Sequence, residues 1–135
     1  NLNNIQAKEI GITRTSFRDA SLEKNWLEDK KSRSLLLTEA KSENTINRIA
    51  GTAENPRQTE RVPAEAKFNF SIQVKILDSD NECDLMATLL NGLKLLEMDA
   101  LGGSGSRGYG RIKFHLADID LAEKLAAIDP FAQVA

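Results

Sequence analysis

Arginine, tyrosine and glycine crowd into one run, Leu101-Gly-Gly-Ser-Gly-Ser-Arg-Gly-Tyr-Gly-Arg111. Five of the chain's eight glycines lie between Gly102 and Gly110, more than in any other segment. A glycine backbone has no Cβ, reaches positive φ without strain and lets a ligand approach closely. Successive amides in such a loop form a concave nest for an anion. Arg107 and Arg111 add planar guanidiniums that hold phosphate bidentately, and the Tyr109 ring offers a stacking face for a base. The candidate ligand is a polyanion, gripped by Gly102, Gly103, Ser104, Gly105, Ser106, Arg107, Gly108, Tyr109 and Arg111.

A second basic set lies upstream, in the polar stretch Lys41 to Pro63. Thr45-Ile46 and Thr59 to Val62 read as the arms of a protruding hairpin, with Asn55-Pro56 as the turn signal. Arg48, Arg57 and Arg61 are spaced along it. A hairpin this polar has little to bury, so it is either a solvated excursion or a contact arm for RNA or another subunit. The remaining chemically capable residues are sparse. Asp84, Glu97 and Asp99 read as solvated helix charges, Cys83 as a small packing residue, and His115 as a surface residue with no nucleophile beside it.

The elements that must position the loop follow from periodicity. Ala66, Phe68, Phe70, Ile72, Val74 and Ile76 alternate with polar residues, which predicts a strand with one buried face. Asp78 to Glu82 supplies helix N-cap candidates. Leu85, Met86, Leu89, Leu90, Leu93 and Leu96 follow at helical spacing, predicting a helix from Glu82 to Met98 or Leu101. Gly92 interrupts it, for which close packing is the expected reason. After the loop, Ile112, Phe114 and Leu116 alternate again, predicting a strand over Arg111–Leu116. Asp118 to Ile128 reads as a short helix halted by Asp129-Pro130. Near the start, Ile5, Ile10 and Ile12 are apolar, and a strand is expected over Gly11–Phe17. Glu23 to Lys41 reads as a charged connecting region in which Trp26-Leu27 packs a short helix, Lys30, Lys31 and Arg33 form a basic cluster, and Leu35-Leu36-Leu37 is an apolar anchor.

That order removes one tempting reading. Gly103-Ser-Gly-Ser-Arg-Gly108 matches the dinucleotide string G-x-G-x-x-G, but that motif works between a strand and the helix whose N-terminus holds the pyrophosphate. Here a helix precedes the loop and extended residues follow. No Gly-Lys-Ser/Thr is present for a P-loop either.

Composition narrows the class further. The 135 residues suit one domain, and 41% hydrophobic content permits a core. A net charge of −2 means that any nucleic-acid contact is a local patch. A single cysteine excludes an internal disulfide and a multi-cysteine zinc site, and a single histidine argues against a histidine-based metal cage or catalytic dyad. No apolar run is long enough for a membrane span, and the start, Asn-Leu-Asn-Asn, shows no signal-peptide pattern and suggests an internal or trimmed portion.

Four ordered motifs carry a family resemblance: Phe17-Arg-Asp-Ala20, Glu43-Asn-Thr-Ile-Asn-Arg48, Asn55-Pro-Arg-Gln-Thr-Glu-Arg-Val-Pro63, and Gly92-Leu-Lys-Leu-Leu-Glu-Met-Asp-Ala-Leu-Gly-Gly103 running into Phe114. Together they resemble the RAMP superfamily, and within it the repeated backbone subunits of type III CRISPR effector complexes. Asn47, where the family often has Asp, and Ala100, where it often has Tyr, are departures. The resemblance implies an α+β, ferredoxin-like (RRM-like) RAMP fold, present in part: an antiparallel sheet with packed helices and a thumb hairpin. It implies one RAMP domain over residues 1–135 that lacks its N-terminal half, with residues 41–63 as the thumb. It further implies a cytoplasmic subunit that grips the guide RNA (crRNA) through the glycine loop and spaces the guide–target duplex with the thumb. Its partners would be guide and target RNA, further copies of itself and other effector subunits, with no membrane. The family's cleavage aspartate, used with a divalent metal such as magnesium, belongs to the absent half. No catalytic residue or cofactor is therefore expected here, and Asp19 belongs to the later Arg-Asp-Ala motif. The alternatives are a generic ferredoxin-like protein-interaction module and a metal-dependent endoribonuclease in its own right.

Overall fold

A computed structural model of the chain describes residues 12–132. They form an α+β protein of three small antiparallel ladders and three helices. Two compact units divide between Lys75 and Ile76. Ile5, Ile10 and the Gly11 end of the first expected strand lie outside the described residues.

In the first unit, β1 (Thr15–Phe17) pairs antiparallel with β6 (Ile72–Val74), and β2 (Ser21–Leu22) with β5 (Phe68–Asn69). Phe17 faces Ile72 and Ser21 faces Asn69, so three residues, Arg18 to Ala20, lie opposite two, Phe70 and Ser71. The extra residue breaks the ladder as a bulge does. This is why the single long strand expected over Ala66–Ile76 becomes two short ones. Its apolar face is also not buried: Phe68 and Ile76 are each 45% exposed. Between the ladders' strands, α1 (Lys24–Ser32) occupies part of the expected connecting region. The Glu23 carboxylate caps it, accepting from the amides of Asn25 at 3.1 Å and Trp26 at 3.0 Å. Lys30 Nζ sits 5.3 Å from the centroid of the Trp26 ring, a cation–π contact. Leu35, Leu36 and Leu37 are exposed rather than anchoring.

The hairpin is longer than its sequence suggests, with β3 at Glu39–Asn47 and β4 at Thr52–Arg61. Its turn is Arg48–Gly51, not Asn55-Pro56. Asn47 builds that turn: its Oδ1 accepts from the amides of Ile49 and Ala50 at 3.0 and 3.1 Å, while its Nδ2 donates to Glu54 at 2.9 Å. Gly51 closes it at φ +69°, donating to the Asn47 carbonyl at 2.8 Å. Asn55, at φ 52°, and Pro56 form a bulge opposite Asn44, between the pairs Glu43↔Arg57 and Thr45↔Glu54. Proline has no amide to give a ladder, so a bulge is where a strand accommodates it.

The second unit holds the buried hydrophobic residues among those described: Leu90 and Leu93 of α2 (Glu82–Met98) and Leu125 of α3 (Ile119–Ala127). The two helices pack against each other. Each helix starts where its cap residue dictates. Asn81 Oδ1 accepts from Cys83 N, and Asp118 Oδ1 from Leu121 N, both at 3.0 Å. On α3, Lys124 lies 2.6 Å from Asp120, whose hydrogen bond and charge raise the ammonium's pKa above its ordinary value. Cys83 is exposed, not packed. A Cβ on Gly92 would meet nothing within 4 Å, so close packing within the described chain does not account for that glycine.

Candidate RNA-binding loop

The loop leaves the C-terminal end of α2 and returns to within one hydrogen bond of its own beginning, where Leu101 N donates to Gly110 O at 2.9 Å. Between these ends, Gly105–Arg107 makes a single 3-10 turn. The Ser104 carbonyl accepts from Arg107 N at 2.9 Å and Tyr109 N at 3.4 Å, and the Gly105 carbonyl from Gly108 N at 2.9 Å. The backbone reverses through positive φ at Gly102, Ser104, Gly108 and Gly110. At Gly110 the requirement is doubled. Its φ is +74°, and a Cβ there would collide with the Leu101 carbonyl oxygen. A Cβ on Gly105 would come within 2.8 Å of the Ala100 Cβ. The glycines are therefore what allow the loop to close on itself.

This closure changes the expected nest. The amides of Arg107, Gly108 and Tyr109 point inward to loop carbonyls, whereas those of Gly102, Gly103, Gly105 and Ser106 bond to no group among the described residues. The side chains of Arg107 and Arg111 are exposed. Tyr109 is half-buried, so its ring is partly engaged by the protein itself.

The segment after the loop differs from expectation in one respect. Residues 111–116 alternate exposed and half-buried, as a strand would, with Ile112, Phe114 and Leu116 inward. They enter no ladder with any described residue. An amphipathic extended segment needs a neighbouring strand to become sheet, and none is supplied to it here. His115 is exposed, as its polar position implied.

One tie on the segment is a side chain that the sequence reading placed in solvent. Glu97 Oε1 accepts from Phe114 N at 2.7 Å, and Glu97 Oε2 lies 3.7 Å from Lys94 Nζ. Only 14% of the Glu97 side chain is exposed, so it is not the solvated helix charge that its spacing suggested. A carboxylate in the last turn of a helix faces the negative end of the helix dipole, which costs about 0.3–1 kcal/mol. Lys94 and the Phe114 amide offset that penalty.

The upstream arginines are spread out. Arg48 is exposed at the hairpin turn and Arg57 is exposed on β4 opposite Glu43. Arg61 is bound at the hairpin base, its Nε and Nη2 each 2.8 Å from Glu39 Oε2. Among the described residues, no three histidine, cysteine, aspartate or glutamate side chains gather as a metal site. No helix among them is long and apolar enough to cross a membrane.

Three antiparallel ladders and three helices define the class as an α+β protein, with a glycine-closed, arginine-bearing loop at the end of its leucine-rich helix. Sequence comparison gives the family. The chain is 46% identical over 103 residues to the CRISPR system Cms endoribonuclease Csm3 of Methanothermobacter thermautotrophicus, covering 76% of this chain and 40% of that protein. It is 44% identical over 114 residues to the Csm3 of Streptococcus thermophilus, covering 82% and 50%. It is 48% identical over 104 residues to that of Methanocaldococcus jannaschii, covering 75% and 40%. No protein-family model matches it. The chain belongs to the Csm3-like RAMP subunits of type III CRISPR systems, and it spans about half the length, or less, of the curated relatives it matches.

Proposed function

We propose that this chain is the RNA-gripping portion of a guide-RNA backbone subunit in a type III CRISPR effector complex, serving antiviral defence in the cytoplasm. In this reading the two compact units are parts of one ferredoxin-like RAMP domain, and the β3–β4 hairpin is its thumb. The observation that carries it is the loop itself: unbonded amides at Gly102, Gly103, Gly105 and Ser106, flanked by the exposed guanidiniums of Arg107 and Arg111. Such a surface contacts phosphates without reading sequence, as a protein carrying many different guides requires. Arg48 and Arg57 are exposed on the hairpin, where they meet the guide–target duplex or a neighbouring subunit. Arg61 serves the base of the hairpin through Glu39 and contributes to RNA binding only secondarily. In this reading the assembled complex cleaves its target RNA with a divalent metal such as magnesium.

Filter binding of single-stranded RNA across a salt series tests this. Each phosphate contact contributes about −0.7 to the slope of log K against log salt for a single strand. Arg107→Ala and Arg111→Ala should each weaken binding by about tenfold and make the slope shallower by about 0.7. Unaltered affinity and slope in both variants, with the helical circular dichroism intact, would exclude the loop as the grip.

A further inference from the structure

Resting on that reading, we infer that Glu97 is the positioning residue of the loop, fixing the exit of the chain so that Arg107 and Arg111 are presented together. Two ties bear on how the loop begins and ends. One is the backbone bond from Leu101 N to Gly110 O at 2.9 Å, which closes its neck. The other is the bond from Phe114 N to Glu97 Oε1 at 2.7 Å, which fastens the outgoing segment to the last turn of α2. Between the ties stand Arg111 and Lys113, exposed, and Ile112, half-buried.

The second tie matters because residues 111–116 have no ladder with any described residue to hold them extended. A sheet neighbour would ordinarily satisfy the Phe114 amide; here a side chain does. The glutamate is held for that task by Lys94 and by its own partial burial, with its carboxylate at the helix end that disfavours negative charge. Without the tie, Arg111 would sample orientations in which it and Arg107 do not face the same phosphates. RNA would then have to order the segment on binding, an entropic penalty that lowers affinity without removing any final contact.

This role makes a prediction opposite in sign to simple electrostatics. Removing a negative charge from a protein that binds a polyanion should strengthen binding. Loss of the positioning bond should weaken it. Two substitutions in the full chain separate the effects. Glu97→Gln keeps an acceptor for Phe114 N and removes the charge; it should bind single-stranded RNA at least as tightly as the parent. Glu97→Ala removes both; it should bind about three- to tenfold more weakly at an unchanged salt slope, unlike Arg107→Ala, whose slope falls. Amide exchange of RNA-free protein provides the independent readout. Phe114 N should exchange at least tenfold faster in Glu97→Ala and at close to the parent rate in Glu97→Gln. If Glu97→Ala tightens binding as Glu97→Gln does, or leaves Phe114 exchange unaltered, the positioning role is wrong. If Phe114 exchange responds as expected but the parent chain binds no RNA, the tie stands and the RNA-gripping reading fails.

Discussion

Gly110 is the position at which one added carbon has the clearest consequence. Its φ of +74° is one that an L-residue adopts only with strain, and its missing Cβ leaves the space that the Leu101 carbonyl oxygen fills. Both penalties act at the neck of the loop, where Leu101 N meets Gly110 O. Gly110→Ala should therefore destabilise the second unit by about 2 kcal/mol or force the neck open. Chemical denaturation measures the first outcome, and accelerated exchange of the Leu101 amide measures the second. Gly103 is a useful control, because a Cβ there meets nothing and its φ is not positive. Gly103→Ala should be far milder in the same assays. A similar cost at both positions would mean that glycine acts there through chain flexibility rather than through a close approach.

At the scale of elements, α2 was readable because every local signal agrees. Its cap, acidic first turn and leucine spacing point to one helix, and Glu82–Met98 is what forms. The same consistency recovered α3. Strands were less legible because a strand is completed by its neighbour, which may lie far along the chain or outside it. Ala66–Ile76 alternates cleanly, yet it splits because Arg18–Ala20 has one residue too many for its partner. Residues 111–116 alternate as well, yet form no ladder. Asn55-Pro56 was legible as a break but not as a bulge, since only the register of β3 on β4 distinguishes the two. At the loop, the glycines and arginines announced themselves by type. Glu97 did not, because its bond to Phe114 joins residues that no periodicity links. Gly92 offers a test within α2. Its absent Cβ faces open space, so nothing in the described chain opposes a methyl group. Gly92→Ala should stabilise the helix by about 0.5–1 kcal/mol in thermal or chemical unfolding. A destabilised variant would show that another surface approaches α2 closely at this position in solution.

For the molecule as a whole, stability must be distributed as unevenly as burial. The buried hydrophobic residues among those described, Leu90, Leu93 and Leu125, belong to the second unit. In the first unit, Phe17 is 69% exposed and Phe68 is 45% exposed, so their ladders gain little from removing apolar surface from water. Native-state amide exchange should therefore show its slowest amides in the middle of α2, around Leu90 and Leu93. The amides of β1, β2, β5 and β6 should exchange through local opening of much lower free energy. Substitution makes the same point energetically. Leu93→Ala removes a buried side chain and leaves a cavity, at a cost of about 2–5 kcal/mol. Phe68→Ala removes a side chain already about half in water, and should cost less than about 1.5 kcal/mol despite the larger residue. Urea unfolding of both variants decides the matter. An equal or greater cost for Phe68→Ala would mean that its face is covered in solution by a surface other than those described. The relatives are longer than the stretch that this chain matches, so the unmatched portion of such a relative is the first surface to test, by adding it in trans and repeating the measurement.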